Sequence, residues 1–296
     1  MTILLLDLAN FARRAAHSGL ANEGSSFTFK FLRNLRALVA KIEPTSLVLV
    51  KEGSPIHRYE IFPEYKAQRR VKADDPKAEE KFQELMDLKG QIDEAINFCL
   101  KNLEVTVLKH AKLEADDLIA SLVRELAKDG KDCVVASNDK DFEQLLGGEP
   151  ARIRVYDLGK KDYMPIPTDY DGLKVSVLTS EQILRKKALL GDKSDNIPGV
   201  PGFGPKKAEK AMLDPKFDPM TALSADSLNI YERNLKLVRF LELDKEGWRH
   251  VQRDVGHFDP AACLIDFHML GMPSMAEEKA YNRFCTTFGA LKEAKL

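Results

Sequence analysis

The sequence predicts an α/β protein with a central, mostly parallel twisted sheet that has helices on both faces, followed by a mostly helical C-terminal part. In the first half, short apolar runs rich in valine, isoleucine and leucine alternate with amphipathic segments of helical period. Nearly continuous apolar runs are typical of parallel strands buried on both faces, and right-handed crossovers place the connecting helices on both sides of the sheet. After about residue 175 the pattern is mainly helical.

The elements of the first half follow from these runs. Strands are predicted at ILLL (3–6), SLVLV (46–50), VTVL (105–108), CVVAS (133–137) and RIRVY (152–156). The amphipathic segments between them predict helices at 27–42, 114–129 and 139–146. We therefore expect an α/β core over residues 1–175 and a mostly helical region over residues 176–296.

Residues 51–90 interrupt this alternation. The segment is densely charged, contains three prolines and is too long for an ordinary connection between a strand and a helix. We expect an excursion from the sheet that ends in a long helix from about Pro76 to Leu103. Within it, residues 58–72 interleave five basic with three aromatic residues, which suits single-stranded nucleic acid through charge neutralisation and base stacking. The alternative is a solvated insertion with the aromatic residues packed beneath it.

Composition limits the classes of partner. The 296 residues carry a net charge of −1, so a polyanion would have to bind locally segregated lysines and arginines. The four cysteines form no CxxC pair, which argues against a zinc site and suits a reducing compartment. The N-terminal apolar run is too short for a signal peptide, and no stretch approaches the ~20 apolar residues of a membrane span. We expect a cytoplasmic protein.

Carboxylates recur at one place in this pattern, directly after the predicted strands. Because ligand sites of parallel sheets form beyond the carboxyl ends of the strands, three strands would deliver six carboxylates to the same edge. Two more, at i,i+3 spacing near a helix end in the second half, could join them. The eight candidates are Asp7, Glu114, Asp116, Asp117, Asp139, Asp141, Asp192 and Asp195.

Each group also has a purely structural interpretation: helix capping for EADD (114–117), an Asx turn for SNDKDF (137–142) and a solvated turn for GDKSDN (191–196). Two carboxylates ~4 Å apart, however, repel by ~4 kcal/mol at an effective dielectric of about 20. Several such pairs would consume a domain's stability of ~5–15 kcal/mol. A crowded acidic edge must therefore bind protons or cations. Oxygen-only ligands favour Mg²⁺ or Mn²⁺, and two such ions can promote phosphodiester cleavage.

The segment IPGVPGFGPKKAEKA (197–211) predicts a tight glycine turn followed by a helix that begins at Pro205. Amide groups at this helix start, with two lysines beside them, would form an anion site. The pattern is typical of a helix–hairpin–helix, over about 183–212, which holds a DNA backbone without reading bases; a plain helix–helix connection is the alternative. The residues concerned are Gly199, Gly202, Gly204, Lys206 and Lys207.

Five motifs together resemble the 5′-nuclease superfamily, and most closely phage-type flap endonucleases and the 5′–3′ exonuclease domain of bacterial DNA polymerase I. The resemblance extends from Asp7 to about residue 243. It implies Mg²⁺-dependent hydrolysis of 5′ flaps and 5′ ends, of the kind that removes RNA primers in replication or repair, by a monomer. The motifs, in the family's order, are LLLDLANFARRA (4–15), FPEYKAQR (62–69), LEADDLIA (113–120), SNDKDFEQLL (137–146) and LLGDKSDNIPGVPGFGPKKA (189–208).

The resemblance implies two or more Mg²⁺ ions, with Mn²⁺ as a substitute, and K⁺ on backbone carbonyls of the hairpin. The first metal cluster would use Asp7, Glu114, Asp116 and Asp117, and the second Asp139, Asp141, Asp192 and Asp195. The basic residues expected to contact DNA are Arg14, Lys66, Arg69, Arg70, Lys206 and Lys207, with Lys66 and Arg69 at the base of a helical arch beside the scissile phosphate. The catalytic set would be Asp7, Lys66, Arg69, Asp116 and Asp139.

One position departs from the family's pattern. A first-cluster aspartate usually follows the second strand, and Lys51 occupies that position here. One hypothesis is that the ammonium group partly replaces a metal ion, which would leave a catalytically attenuated junction-binding protein whose turnover Lys51→Asp should raise. The alternative is that a bulge or loop shift lets the adjacent Glu52 serve instead.

Overall fold

The structure is a computed structural model that describes residues 1–17, 26–69, 76–146, 152–166 and 178–296. The strands are β1 (Thr2–Asp7), β2 (Ser46–Lys51), β3 (Thr106–His110), β4 (Asp132–Ala136), β5 (Ile153–Asp157), β6 (Asp162–Tyr163), β7 (Gly191–Asp192), β8 (Ile197–Pro198) and β9 (Val251–Val255). All five predicted strands are confirmed as β1 to β5.

Helices make up most of the remaining described chain. The helices are α1 (Leu8–Ala16), α2 (Ser26–Ile42), α3 (Ile56–Ile61), α4 (Ala78–Asn102), α5 (Ala115–Lys128), α6 (Ser180–Leu190), α7 (Pro205–Leu213), α8 (Pro219–Ala222), α9 (Ala225–Val238), α10 (Lys245–Arg249), α11 (Pro260–Met269), α12 (Pro273–Ala276) and α13 (Glu278–Gly289). Short 3₁₀ turns lie at Ala67–Arg69, Lys140–Leu145 and Lys193–Asp195. No helix in the described ranges combines the length and apolar character needed to cross a membrane.

The main sheet has the strand order β6-β5-β4-β1-β2-β3-β9, and β5, β4, β1, β2 and β3 run parallel to one another. Strand β1 lies at the centre, where the chain first builds the sheet towards β2 and β3 and then crosses to β4 and β5. A parallel sheet binds ligands at such a switch point, beyond the carboxyl ends of its strands. The predicted α/β fold is confirmed, and its strand order places the expected ligand site at the carboxyl edge of β1 and its neighbours.

Side chains alternate between two buried layers. Leu4 and Leu6 of β1 face the layer built by α1, α2, α4 and the C-terminal helices, whereas Ile3 and Leu5 face the layer built around α5. These residues are fully buried. Because both faces of β1 are covered, its apolar run is continuous, as parallel sheets require.

The C-terminal part contributes more to the core than its helical pattern predicts. Strand β9 pairs antiparallel with β3 and extends the sheet by one edge strand. Phe267 of α11 and Phe284 of α13 are buried in the same layer as α2 and α4. The predicted division at residue 175 falls outside the described residues, and the segment after it is integrated with the sheet.

Candidate metal centre and nucleic-acid interface

The central strands bring distant carboxylates to one edge of the sheet. Asp7 ends β1, opposite Val50 of β2, while Leu6 pairs with Ala136 of β4, so that the loops after all three strands begin side by side. Asp7 accepts hydrogen bonds from the Asn10 amide at 3.1 Å and from Ser137 Oγ at 2.9 Å. The second contact joins the end of β1 directly to the loop after β4.

Electrostatic interactions show that these carboxylates are mutual neighbours. Burial, followed by the charges of Asp7 and Asp139, raises the pKa of Asp116 well above its usual value. Burial and the Asp141 charge raise the pKa of Asp139 to about 6. Burial also raises the pKa of Asp7, although hydrogen bonds from Asn10 and Ser137 oppose the shift. The structure therefore brings residues 7, 116 and 139 together at this edge.

The positions of Lys51 and Glu52 do not support the Lys51 hypothesis, because Lys51 faces away from the acidic group and Glu52 lies beside it. Lys51 Nζ lies 2.7 Å from Asp93 Oδ1 of α4, on the opposite face of the sheet from α5. Glu52 Oε2 accepts a hydrogen bond from the Ala115 amide at 3.2 Å. Glu52 as a whole residue is exposed. Burial of its carboxyl group by surrounding protein, followed by the charge of Glu114, nevertheless raises the pKa of Glu52 to about 7. Glu52 therefore joins the acidic group.

Asp117 does not fit its predicted role as a metal ligand. Its carboxylate is fully buried and is held by Arg58, with Nη1 at 2.5 Å from Oδ2 and Nη2 at 2.8 Å from Oδ1. The Leu241 amide adds a third hydrogen bond, at 3.0 Å to Oδ1. Asp116 and Asp117 are adjacent in a helix, so they point about 100° apart, and only Asp116 lines the acidic cavity. The predicted role of Asp117 is therefore corrected: its carboxylate anchors α5 to Arg58 and to the Leu241 amide.

Lys66 joins the first carboxylate group to the second half of the chain. Its ammonium group contacts Glu114 Oε1 and lies 3.8 Å from Asp195 Oδ2, while its backbone amide donates to the Asp195 carbonyl at 2.9 Å. Tyr65 Oη bonds Glu114 and Asp195, each at 3.0 Å. Arg69 Nη2 lies 2.6 Å from Asp195 Oδ1. Burial lowers the pKa of Lys66, but the Glu114 and Asp195 charges outweigh that effect and raise it.

A second lysine lies among the predicted second-cluster carboxylates. The ammonium group of Lys187, in α6, contacts Asp141 and lies 3.9 Å from Asp192 Oδ2. Burial raises the pKa of Asp192, but hydrogen bonds from Ser194 and the charge of Lys187 outweigh it and lower the value. The Asx-turn interpretation of residues 137–142 also holds, because Asp139 Oδ1 accepts a hydrogen bond from the Asp141 amide at 2.8 Å, and Asp192 Oδ1 accepts one from the Ser194 amide at the same distance. The capping interpretation of residues 114–117 does not hold for Glu114, which precedes α5 without a side-chain capping hydrogen bond.

Among the described side chains, no three carboxylates are arranged as a ready-made ligand set for one ion. Two of the carboxylates are already paired with lysines, Glu114 with Lys66 and Asp141 with Lys187. The donors are all oxygens, and burial together with the charges of neighbouring carboxylates raises the pKa of Asp116. This donor chemistry fits hard divalent cations such as Mg²⁺. The donor chemistry of the residues present therefore fits a divalent ion, although the described side chains do not form a preformed ligand set.

The glycine hairpin has the predicted helix–hairpin–helix form. Helix α6 leads through the two short strands β7 and β8 to α7, which begins at Pro205. A Cβ at Gly199 would lie 2.4 Å from the Leu190 carbonyl oxygen, and Gly202 has φ +79°. Gly204 occupies the N-cap position of α7 and provides no side-chain capping hydrogen bond. The backbone amides at the start of α7 are therefore open to a ligand. Lys206 and Lys207 are exposed at this start.

The remaining predicted DNA contacts lie in different places. Arg14 is exposed at the end of α1, where it lines a basic cavity of about 870 Å³ with Arg13, His17 and Lys161. Arg70 lies outside the described residues. Arg58, in the basic stretch of residues 58–72, is buried and cannot reach solvent.

The aromatic residues of the excursion favour the packing interpretation. Tyr65 is buried, and Tyr59 and Phe62 pack against Leu237 and Val238 of α9. Sequence reasoning therefore missed the polar roles of Tyr65, Arg58 and Lys187, whereas Glu52 was named as an alternative. The available signal for Lys187 was its position five residues before Asp192.

Comparison with known proteins agrees with this architecture. The model of the 5′–3′ exonuclease N-terminal resolvase-like domain matches residues 2–179. The chain is 33% identical over 216 residues to DNA polymerase I of Bacillus caldotenax, covering 71% of this chain and 23% of that protein. It is 30% identical over 213 residues to the flap endonuclease Xni of Shewanella amazonensis, covering 71% and 76%. The chain belongs to the 5′–3′ exonuclease family.

The solved structures confirm the fold. T5 5′-exonuclease with bound zinc superposes with a TM-score of 0.66 at 20% identity, covering 97% of this chain and 98% of that one. The chain spans only about a fifth to a quarter of the length of the matched DNA polymerase I relatives.

Proposed function

We propose that the protein is a structure-specific 5′ nuclease that hydrolyses phosphodiester bonds in 5′-flap or 5′-ended DNA with Mg²⁺ as cofactor. The observation that carries this proposal is the convergence of Asp7, Glu52, Asp116 and Asp139 from four neighbouring strand ends, with Lys66 beside them. Family membership supports it, since relatives are named as flap endonuclease and as DNA polymerase I.

Two groups of oxygens would hold the cations. The first comprises Asp7, Glu52, Glu114 and Asp116, and the second comprises Asp139, Asp141, Asp192 and Asp195. Bound divalent ions supply Lewis-acid stabilisation of the attacking and departing oxygens. Mn²⁺ has the same oxygen preference and would substitute.

The basic residues would hold and position DNA. Lys66 and Arg69, freed from their carboxylates, would bind the phosphate at the cleavage position, where positive charge stabilises the developing anion. The open amides at the start of α7, with Lys206 and Lys207, would hold the duplex backbone, with K⁺ on hairpin carbonyls as a candidate aid. These contacts would hold the duplex at the hairpin and the reacting phosphate at the acidic edge. We also propose that RNA–DNA primers are substrates, that the protein acts as a monomer and that it is cytoplasmic.

The non-catalytic alternative has lost its basis. It depended on Lys51 entering the metal site, and Lys51 instead bonds Asp93 at 2.7 Å. No described contact favours a protein that binds junctions without cleaving them.

The test is incubation of labelled 5′-flap DNA, blunt duplex DNA and single-stranded RNA, with Mg²⁺ and separately with chelator. We expect flap cleavage only with metal. Binding without cleavage, or preferential RNA cleavage, would contradict the proposal. An Asp139→Asn variant should lose cleavage yet retain flap DNA in a gel-shift assay, which separates chemistry from binding.

A further inference from the structure

A cluster of three arginines lies apart from the acidic edge, between α2 and the C-terminal helix α13. Arg33 and Arg36 of α2 and Arg283 of α13 line one cavity of about 190 Å³. This volume is well above the ~10–15 Å³ that a single water needs. The cavity shares no lining residue with the acidic site.

The arginine charges are not neutralised by the protein. Within the described chain, no carboxylate lies within ion-pairing distance of these three guanidinium groups; Arg33 instead lies over the Phe29 ring, with Cζ 5.4 Å from the ring centroid. Glu277 lines the same cavity but forms no ion pair there. Burial and the charges of Arg283 and Arg33 lower the pKa of Arg36, which shows that the cations repel one another.

The surrounding helices add to this positive field. Helix α1 contains two basic residues and α2 contains four, and neither helix contains an acidic residue. In a chain of net charge −1, this is strong local segregation. A positive surface of this kind raises the local concentration of anions.

We propose that this cavity is a binding site for a phosphate monoester. Three guanidinium groups and one carboxylate give it a charge of +2 (3 − 1), from the residues that line it. A phosphate monoester carries about −1.5 to −2 at neutral pH, whereas a backbone diester carries one negative charge. The planar guanidinium fork donates two parallel hydrogen bonds to phosphate oxygens. The charge balance therefore favours the terminal phosphate over the diester backbone.

Two sources supply this chemistry: a free mononucleotide and the phosphorylated end of a strand. In both, the attached nucleoside would extend towards the apolar lining at Met275 and Phe284 or out to solvent. The inference does not rest on the proposed nuclease function, because it uses no residue of the acidic edge.

Calorimetry without divalent metal tests the proposal, with dAMP and adenosine as one pair of ligands and a short strand with and without a 5′ phosphate as the other. We expect saturable binding that requires the phosphate and weakens as salt rises. The double variant Arg36→Gln/Arg283→Gln should bind about tenfold more weakly or worse, since charge-assisted hydrogen bonds are lost. The matched control Lys128→Gln/Lys216→Gln removes two exposed cations that belong to neither proposed site and should bind dAMP within about twofold of wild type.

Each outcome of these binding measurements either supports the phosphate site or overturns it. Phosphate-independent binding, absence of saturable binding, or equal affinity in wild type and the arginine variant would overturn the site. Stronger binding of dAMP would identify a free mononucleotide as the ligand, and stronger binding of the phosphorylated strand would identify a strand end. Circular dichroism and thermal unfolding of the variants show that any loss is not a loss of fold.

Discussion

Arg58 and Asp117 form a doubly hydrogen-bonded ion pair inside the protein, with side-chain exposures of 4% and 0%. Arg58 also donates from Nε to the Leu237 carbonyl at 2.9 Å. The pair therefore fastens α3 and α5 to the end of α9, directly behind Glu114, to which Arg58 Nη1 donates at 2.8 Å. Its position explains how a charged segment in the sequence becomes a rigid support for the site.

Breaking this pair should be costly, because one charge would remain buried without a partner. We expect Arg58→Met to lower the free energy of unfolding by ~3–5 kcal/mol in urea titrations. The exposed Arg69→Gln should change it by no more than ~0.5 kcal/mol. A loss below ~1 kcal/mol for Arg58→Met would mean that the pair is not structural.

Glu52, not Lys51, should matter for cleavage. Glu52→Gln removes a carboxylate from the acidic group and should slow flap cleavage ~10²-fold. Lys51→Asp should give no gain, because it would only place a negative charge beside Asp93. Single-turnover rates decide between the residues: a faster Lys51→Asp enzyme, or an unaffected Glu52→Gln enzyme, would support Lys51 rather than Glu52 at the metal site.

Lys66 should act on the reacting phosphate as well as on Glu114. Lys66→Met is expected to slow flap cleavage ~10²-fold or more, because a positive charge is lost where negative charge develops. The control Lys128→Met removes an exposed lysine at the end of α5 and should cleave normally. Rates at saturating Mg²⁺ are the readout, and equal rates for the two variants would exclude this role.

Lys187 should compete with divalent cations for Asp141, since its ammonium group already contacts that carboxylate. Removing the charge in Lys187→Met leaves the second carboxylate group more negative. Mg²⁺ affinity measured by calorimetry should therefore rise severalfold, whereas Lys210→Met, exposed on α7, should leave it unchanged. Weaker binding in Lys187→Met would show that the lysine supports the ion rather than displacing it.

Two glycines of the hairpin should respond differently to the same added methyl group. At Gly199 a Cβ would meet the Leu190 carbonyl oxygen at 2.4 Å, whereas at Gly204 nothing lies within 4 Å. Gly199→Ala should thus lower stability by ~1–3 kcal/mol and weaken duplex binding. Gly204→Ala loses only a favoured capping residue and should cost less. Comparable thermal unfolding of the two variants would contradict the close approach at Gly199.

The sequence predicted what depends on periodicity and on strand ends. The runs that became β1 to β4 are continuous and apolar, so both the parallel sheet and the meeting of Asp7, Asp116 and Asp139 could be inferred from the order of residues alone. Strand β9 could not, because VQRDV is an edge strand whose three central polar residues are exposed and whose two terminal valines are only half-buried. Such a strand lacks the apolar alternation that identifies half-buried strands.

Individual side-chain roles were less predictable, because they depend on direction. One residue of register decides that Lys51 faces α4 and Glu52 faces α5. A rotation of about 100° along a helix separates Asp116, which lines the cavity, from Asp117, which bonds Arg58. The lysines that occupy the carboxylates come from distant segments, and only the fold brings Lys187 beside Asp141.

The most direct test of the carboxylate site is the Mg²⁺ dependence of 5′-flap cleavage by wild type and Asp116→Asn, measured under single-turnover conditions alongside flap binding. We predict cleavage by wild type that requires Mg²⁺, and a rate at least ~10²-fold lower in Asp116→Asn with flap binding retained. Cleavage by wild type in chelator, or an Asp116→Asn enzyme that cleaves at the wild-type rate, would contradict a divalent-metal site at this edge of the sheet.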